Sequence, residues 1–350
     1  MVGIGVIGIG FMGMTHFEGA RRVSGGKVVA ISTRNEKKLA GDWSSIQGNF
    51  GPPGSAETDL SGIATYPDYH DLLADDSVTL VDICLPTDRH EQVVIEALQE
   101  GKHVLVEKPI SIDLVAADRM LDAAAKAGRL LMVAQVLPFF PEFRWVRETV
   151  ESGKYGKLLA ASFRRVIAPP DWSDDMNDFR KLGGWGIDLH IHDNHYIGLL
   201  CGVPKSVFSR GLLKEGFVNH VSTQYLYDDP DLTVSCISGG IAADGLKFAS
   251  SFELFLENAT IQFDAGTYGE EWVVNRPLTV ITNNGEIATP DPGGTGEWCA
   301  AFTDELQAAI DGVKAGAAPA VLSGQLACDA LKLCHAEAES IKTGKPVSVS

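Results

Sequence analysis

The chain has 350 residues, 45% hydrophobic and 21% charged, a globular composition with room for two separate cores. With 46 acidic against 29 basic residues the formal net charge is −17, so most of the surface repels nucleic acid and anionic lipid, and neither is expected as a partner. Cys84, Cys201, Cys236, Cys299, Cys328 and Cys334 lie scattered without a CxxC pair, as reduced thiols of a cytoplasmic protein do, and no apolar run is long enough to span a membrane. Gly3-Ile4-Gly5-Val6-Ile7 reads as a short apolar strand, followed by glycines and a helix over 14–23. Further strands are expected at 28–31, 80–84, 104–106 and 130–133, with helices over 90–99 and 114–126 between them. Strands alternating with helices at this spacing predict a parallel sheet covered on both faces, an α/β domain over residues 1–130. Within it, the Gly/Pro/Ser-rich stretch 41–62 is longer than an ordinary connection and reads as either a disordered insert or an ordered flap.

A second domain is expected over 131–350. Strand-like runs dominate it, at 158–167, 207–213, 221–227, 232–237, 248–256, 260–263 and 278–282, with Asp/Pro and Asn/Gly turns between neighbours. That pattern predicts an α+β domain with a large, mostly antiparallel open sheet. Several strands are apolar on both faces, so helices are expected on one face and a second subunit on the other, giving a homodimer or homotetramer. Helices over 298–314 and 323–342 close the chain, the last expected to pack back toward the domain boundary.

Gly8-Ile9-Gly10-Phe11-Met12-Gly13 joins the first strand to the first helix. The first glycine permits the tight turn, the second lets backbone approach a pyrophosphate, and the third lets helix and strand pack closely, while the helix N-terminus supplies amides and positive dipole. A dinucleotide is the expected ligand, held by Gly8, Gly10, Phe11, Met12 and Gly13. An NAD site ordinarily places an acid at the end of the second strand, about 20 residues past the glycines, against the ribose 2′-hydroxyl. Here that strand ends in Ser32-Thr33-Arg34. Thr33 and Arg34 suit a 2′-phosphate instead, so NADP is preferred over NAD.

Glu107-Lys108-Pro109 follows the strand Val104-Leu105-Val106, and Pro86-Thr87-Asp88-Arg89-His90 follows the strand before it. Farther on stands Gly183-Gly184-Trp185-Gly186-Ile187-Asp188-Leu189-His190-Ile191-His192-Asp193. With the glycine loop, these motifs in this order resemble the glucose–fructose oxidoreductase, inositol dehydrogenase and rhizopine-catabolism (Gfo/Idh/MocA) family along nearly the whole chain. The resemblance implies a Rossmann domain followed by a substrate domain, and hydride exchange between nicotinamide and a sugar, polyol or inositol-like ring alcohol. It also implies that Pro86, Thr87, His90, Glu107 and Lys108 line the cofactor. Lys108 would polarise the substrate oxygen, His192 would take its proton, and Asp188, four residues earlier and on the same face of a helix, would orient the imidazole.

His195, one turn on, is read as a substrate contact where relatives carry an acid. Trp185 is either a platform for a sugar ring or a core residue, and Arg164 and Trp172 are further candidates for the substrate cleft. Pro138 stands where relatives often carry a basic residue. Three other readings stay open. A helix could present Asp188, His192 and His195 to a zinc ion, as in a metal-dependent sugar hydrolase or isomerase, although no metal is the preferred expectation. The cofactor could instead serve transient oxidation in glycoside cleavage or epimerisation, and a non-catalytic sensor could keep the same fold.

Overall fold

The computed structural model describes residues 1–48, 50–169 and 178–349. Its first sheet is built from β1 (Val2–Ile7), β2 (Gly26–Ser32), β3 (Ala64–Tyr66), β4 (Leu80–Ile83), β5 (His103–Glu107) and β6 (Leu131–Ala134), all neighbours parallel in the order β3-β2-β1-β4-β5-β6. Every residue of β1, β4 and β6 is buried, which is why these strands read as unbroken apolar runs rather than alternating ones. The crossovers carry α1 (Phe11–Ala20), α2 (Glu36–Leu39), α3 (Tyr69–Leu73), α4 (His90–Gln99) and α5 (Leu114–Ala127). The last shows why its ends lie where they do: the side chain of Asp113 accepts the amide of Ala116 at the start, and Gly128 closes it in the left-handed region at φ 61°.

The second half begins with α6 (Pro141–Glu151), a helix not among those expected, opened by proline in its first turn. There follow β7 (Leu158–Ile167), α7 (Phe179–Leu182), α8 (Trp185–Asp188), α9 (Ile191–Cys201), β8 (Ser206–Lys214), β9 (Phe217–Leu226), β10 (Thr233–Gly239), β11 (Leu246–Leu256), β12 (Ala259–Tyr268), β13 (Glu271–Thr282) and β14 (Ile287–Ala288). Then come α10 (Ala300–Ala315), α11 (Gly324–Thr343) and β15 (Val347–Ser348). The second sheet has the order β14-β13-β12-β11-β7-β10-β9-β8-β15 and is antiparallel except where β7 meets β10. Phe163, Phe252 and Phe263 face inward and meet Phe143 of α6 and Tyr196 of α9 in a ring cluster with centroids 5.1–5.9 Å apart. Arg164, Ile237, Ser251 and Phe255 occupy the opposite face.

Residues divide between two units differently from the expected boundary at 130. One unit is Met1–Phe139 with Gly294–Cys328, the other Phe140–Gly293 with Asp329–Ser350. Two facts move the boundary. Strand β6 pairs with β5 from Val104↔Leu131 onward, so the parallel sheet ends after residue 130. Helix α10 also returns to the first unit, placing Leu306, Ala309 and Ile310 in one core with Ile4, Met14 and Phe17. The expected last helix is present, and the division at Cys328/Asp329 falls inside it. The stretch 41–62 is anchored by Trp43, 1% exposed, whose ring meets Phe17 edge-on at 4.8 Å. All six cysteines are free thiols, and no described helix is long and apolar enough to cross a membrane.

Candidate active site

The glycine loop has the geometry a dinucleotide needs. Gly8 takes φ 95°, a conformation costly for any residue with a Cβ. A Cβ on Gly13 would collide with the carbonyl of Gly8, so helix and strand approach as closely as the motif allows, whereas a Cβ on Gly10 would meet only open space. That space belongs to a cavity of about 970 Å³ at the carboxyl ends of the strands. Its lining includes Gly8, Gly10, Thr33, Arg34, Lys38 and Pro86. No acid stands in the first turn of α1, so its amides are free of a competing carboxylate. These residues fit a dinucleotide pyrophosphate. Phe11 sits edge-on to Phe50 at 4.7 Å, which packs the stretch 41–62 against the start of α1.

Arg34 is exposed and Thr33 half-buried at the end of β2. Lys38, on α2, donates from Nζ to the carbonyl of Ile9 at 2.6 Å, and burial lowers its pKa. Across the cavity Asp68 is tied to the ring of His70 at 2.7 Å. Thr87 opens a short 3-10 turn, and Pro86 before it lines the cavity. His90 does something other than the expected cofactor contact: it is fully buried, with Nδ1 3.0 Å from the carbonyl of Pro109 and Nε2 2.9 Å from that of Leu85. Burial lowers its pKa despite those carbonyls. It brackets the two loops that follow β4 and β5.

Glu107 likewise turns inward rather than toward a cofactor. One carboxylate oxygen accepts the amide of Lys108 at 2.9 Å, and the other lies 3.1 Å from Nε2 of His16. Lys108 itself is partly buried and follows the carboxyl end of β5, the edge at which open α/β sheets bind ligands.

In the second unit the expected single helix through Asp188 and His192 is two. Helix α8 ends at Asp188, the amide of His190 bonds back to Trp185 at 3.0 Å, and α9 begins at Ile191. Asp188 and His192 are both partly buried, each with partners of its own. Between them His190 is fully buried, with Nε2 3.0 Å from Glu337, whose other oxygen accepts from Asn194 at 2.8 Å. Next to it Asp193 pairs with Arg165 of β7 at 3.0 Å. These buried pairs pin the first turn of α9, on which His192 stands.

The sequence model described as "Oxidoreductase family, NAD-binding Rossmann fold" (GFO_IDH_MocA) matches residues 2–135. Residues 2–135 therefore carry the Rossmann domain of the Gfo/Idh/MocA family. The chain is 27% identical to myo-inositol 2-dehydrogenase of Thermotoga maritima, covering 99% of this chain and 98% of that one. It is 26% identical to the rhizopine catabolism protein MocA of Rhizobium meliloti over 70% of this chain and 71% of the other. A solved structure of a probable dehydrogenase from Thermotoga maritima superposes with a TM-score of 0.79 at 25% identity, covering 99% of both chains. The protein is therefore an oxidoreductase with an NAD-binding Rossmann domain.

Against this family frame, several expected substrate residues take other parts. Arg164 lies on the open sheet face, paired with Asp264 at 2.7 Å and Ser251 at 3.1 Å, because residues alternate along β7 and its neighbour Arg165 takes the inward side. Trp185 is 1% exposed and edge-on to Phe179 at 6.0 Å, so it fills core rather than offering a platform. His195 is fully buried, and burial lowers its pKa to about 3, so it is a neutral core imidazole rather than a substrate contact. Pro138 is buried in a short 3-10 turn. Trp172 lies outside the described residues. The groups of three metal-capable side chains among the described residues are His16–Asp82–Cys84 and His190–Asp193–Cys236, and neither includes the zinc set Asp188–His192–His195.

Lys38 and His16 were not expected. The first had a signal, since Asn35 followed by Glu36-Lys37-Lys38 marks a short helix start, and the Asn35 side chain does accept the amides of Lys37 and Lys38. The second had none, because its partners come from β4, β5 and α10.

Proposed function

We propose that this Gfo/Idh/MocA protein is an NADP-preferring dehydrogenase that interconverts a ring alcohol of a sugar or cyclic polyol with the corresponding ketone. The observation that carries the reading is the cavity under the glycine loop, which ends at Thr33, Arg34 and Lys38 with no acid directly after β2. The substrate class draws support from the similarity to a myo-inositol 2-dehydrogenase over nearly the full length of both chains.

Gly8, Gly10 and the amides opening α1 would hold the pyrophosphate, and Arg34 the 2′-phosphate. A bound nicotinamide would supply the hydride acceptor for oxidation of the carbinol carbon. Lys108 donates a hydrogen bond to the hydroxyl oxygen and disperses the charge that develops there. His192 takes the hydroxyl proton, and Asp188 favours the charged imidazole that results. The inward-facing pairs around His190 and Asp193 keep the main chain at His192 in place while that proton moves. Apolar side chains on the open sheet face, Ile237 at 42% and Phe255 at 41% exposure, support assembly into a homodimer or homotetramer through that sheet.

The test is a titration with NADPH and NADH followed by nicotinamide fluorescence, then turnover with myo-inositol, its stereoisomers and free sugars. Tight NADPH binding and cofactor reduction by one of these alcohols are expected. Binding of neither dinucleotide would refute the proposal.

A further inference from the structure

Beneath the glycine loop the first unit buries a group of charged side chains that the reaction proposed above does not use. His16 of α1 is fully buried, with Nδ1 3.0 Å from both carboxylate oxygens of Asp82 on β4. Its Nε2 lies 3.1 Å from Glu107 at the end of β5 and 3.8 Å from Glu305 of α10. The contact with Glu107 is coulombic rather than an aligned hydrogen bond, since Nε2 finds no hydrogen-bond acceptor in good geometry. Cys84 adds a thiol 3.7 Å from Asp82. Asp82 and Glu305 are fully buried and Glu107 nearly so.

Three carboxyl groups around one imidazole cannot all be charged in a dry interior without a large penalty. Burial, the first cause, pushes the Glu305 carboxyl well above the usual range, with Glu107 and Asp82 adding to it and His16 opposing. Burial pulls the imidazole of His16 down, but Asp82 outweighs it, and the pKa is raised well above the ordinary value. Burial keeps the Cys84 thiol protonated. The imidazole thus stands between the carboxyl groups of Asp82 and Glu107, and the second oxygen of Glu107 accepts the amide of Lys108.

We propose that His16 is a positioning residue: it holds the Glu107 carboxylate, and through it the peptide of Lys108, in the orientation the reaction requires. This rests on Lys108 being the residue that holds the substrate oxygen. A cluster serving only to tie α1, β4, β5 and α10 together has no need to end on that amide. Removing His16 leaves Glu107 buried beside Asp82 with no cation between them, and the carboxylate swings away from its neighbour's charge. The amide of Lys108 then loses its acceptor.

The experiment compares the full-length protein with His16→Gln and with Glu107→Gln, the second keeping side-chain volume and an acceptor for Lys108 should the first fail to fold. Hydrogen exchange of the Lys108 amide, read by NMR without ligand, is expected to quicken at least tenfold in His16→Gln and less in Glu107→Gln. Turnover at saturating NADP+ and alcohol should fall in His16→Gln and less in Glu107→Gln, with the dissociation constant for NADPH within threefold of the parent in both. Unchanged exchange in both folded variants overturns the proposal, as does faster exchange with unaltered turnover. Lys108→Met, assayed alongside, separates the two levels. If that variant keeps full turnover, the role given to Lys108 fails and the part given to His16 falls with it. If it loses turnover while His16→Gln does not, His16 alone is refuted.

Discussion

Nζ of Lys38 lies 2.6 Å from the carbonyl oxygen of Ile9, so a lysine from α2 reaches back onto the glycine loop between its first two glycines. The Lys38 ammonium is thereby fixed at the wall of the cavity that the exposed Arg34 also lines. In a chain with a net charge of −17, these two cations would give the cavity the local positive field that the proposed anionic cofactor needs.

Arg34→Ala should therefore weaken NADPH binding by more than about tenfold, roughly 1.4 kcal/mol, while NADH binding changes by less than about threefold. Fluorescence titration with both cofactors reads this directly. Equal loss for both would mean that Arg34 serves the shared part of the dinucleotide, and the preference for NADP would be withdrawn.

Lys108→Met and His192→Asn should each lower turnover by about 10²–10⁴-fold, the range for removal of a positioned proton-handling group. Neither should change the dissociation constant for NADPH much, since the glycine loop and the end of β2 are untouched. Steady-state rates paired with cofactor titration check both statements. A variant keeping near-parental turnover would remove that residue from the chemistry.

The His190–Glu337 pair should make stability depend on pH. Burial pulls the His190 pKa down, but the Glu337 carboxylate 3.0 Å away outweighs it, and the folded pKa is raised above the ordinary value of 6.5. A raised histidine contributes stability that is complete below about pH 6.5 and is lost as pH rises through the folded value. Urea unfolding should give a lower stability at pH 8.5 than at pH 6, and Glu337→Gln should flatten that difference. Glu337→Ala, which also removes the carboxylate acceptor of Asn194, should cost about 3–5 kcal/mol. A pH dependence identical in parent and Glu337→Gln would exclude His190 as its source.

Trp43→Ala should destabilise the protein by about 3–5 kcal/mol, the cost of emptying a fully buried indole site. The indole is 1% exposed and its Nε1 donates to the carbonyl of Lys38 at 2.9 Å, so the same variant should loosen α2 and weaken NADPH binding. Chemical denaturation and cofactor titration of one preparation test both. A loss under about 1 kcal/mol would show that the stretch 41–62 is only laid on the surface.

Much of this molecule was legible in short windows of sequence. The apolar runs at 2–7 and 80–83 and the glycines between strand and helix each act within a few residues, so their meaning survives without knowledge of the rest of the chain. The family motifs are local in the same sense: Glu107-Lys108-Pro109 marks a strand end wherever that strand lies. The helix carrying Asp188 and His192 shows where this reasoning stops. Spacing alone predicts one continuous helix, but the turn at Leu189–His190 sends His190 inward to Glu337, 147 residues away. Arg164 and Trp185 have the composition of ligand-binding residues, and only the pleat of β7 and the packing against Phe179 decide that they are not. His16 shows it most sharply. Nothing in Met14-Thr15-His16-Phe17 announces a buried charge, because its partners Asp82, Glu107 and Glu305 come from β4, β5 and a helix nearly three hundred residues on. Local pattern sets which elements form and which faces are apolar. The protonation and work of a buried side chain depend on which charges the fold gathers around it, and that is a property of tertiary structure alone.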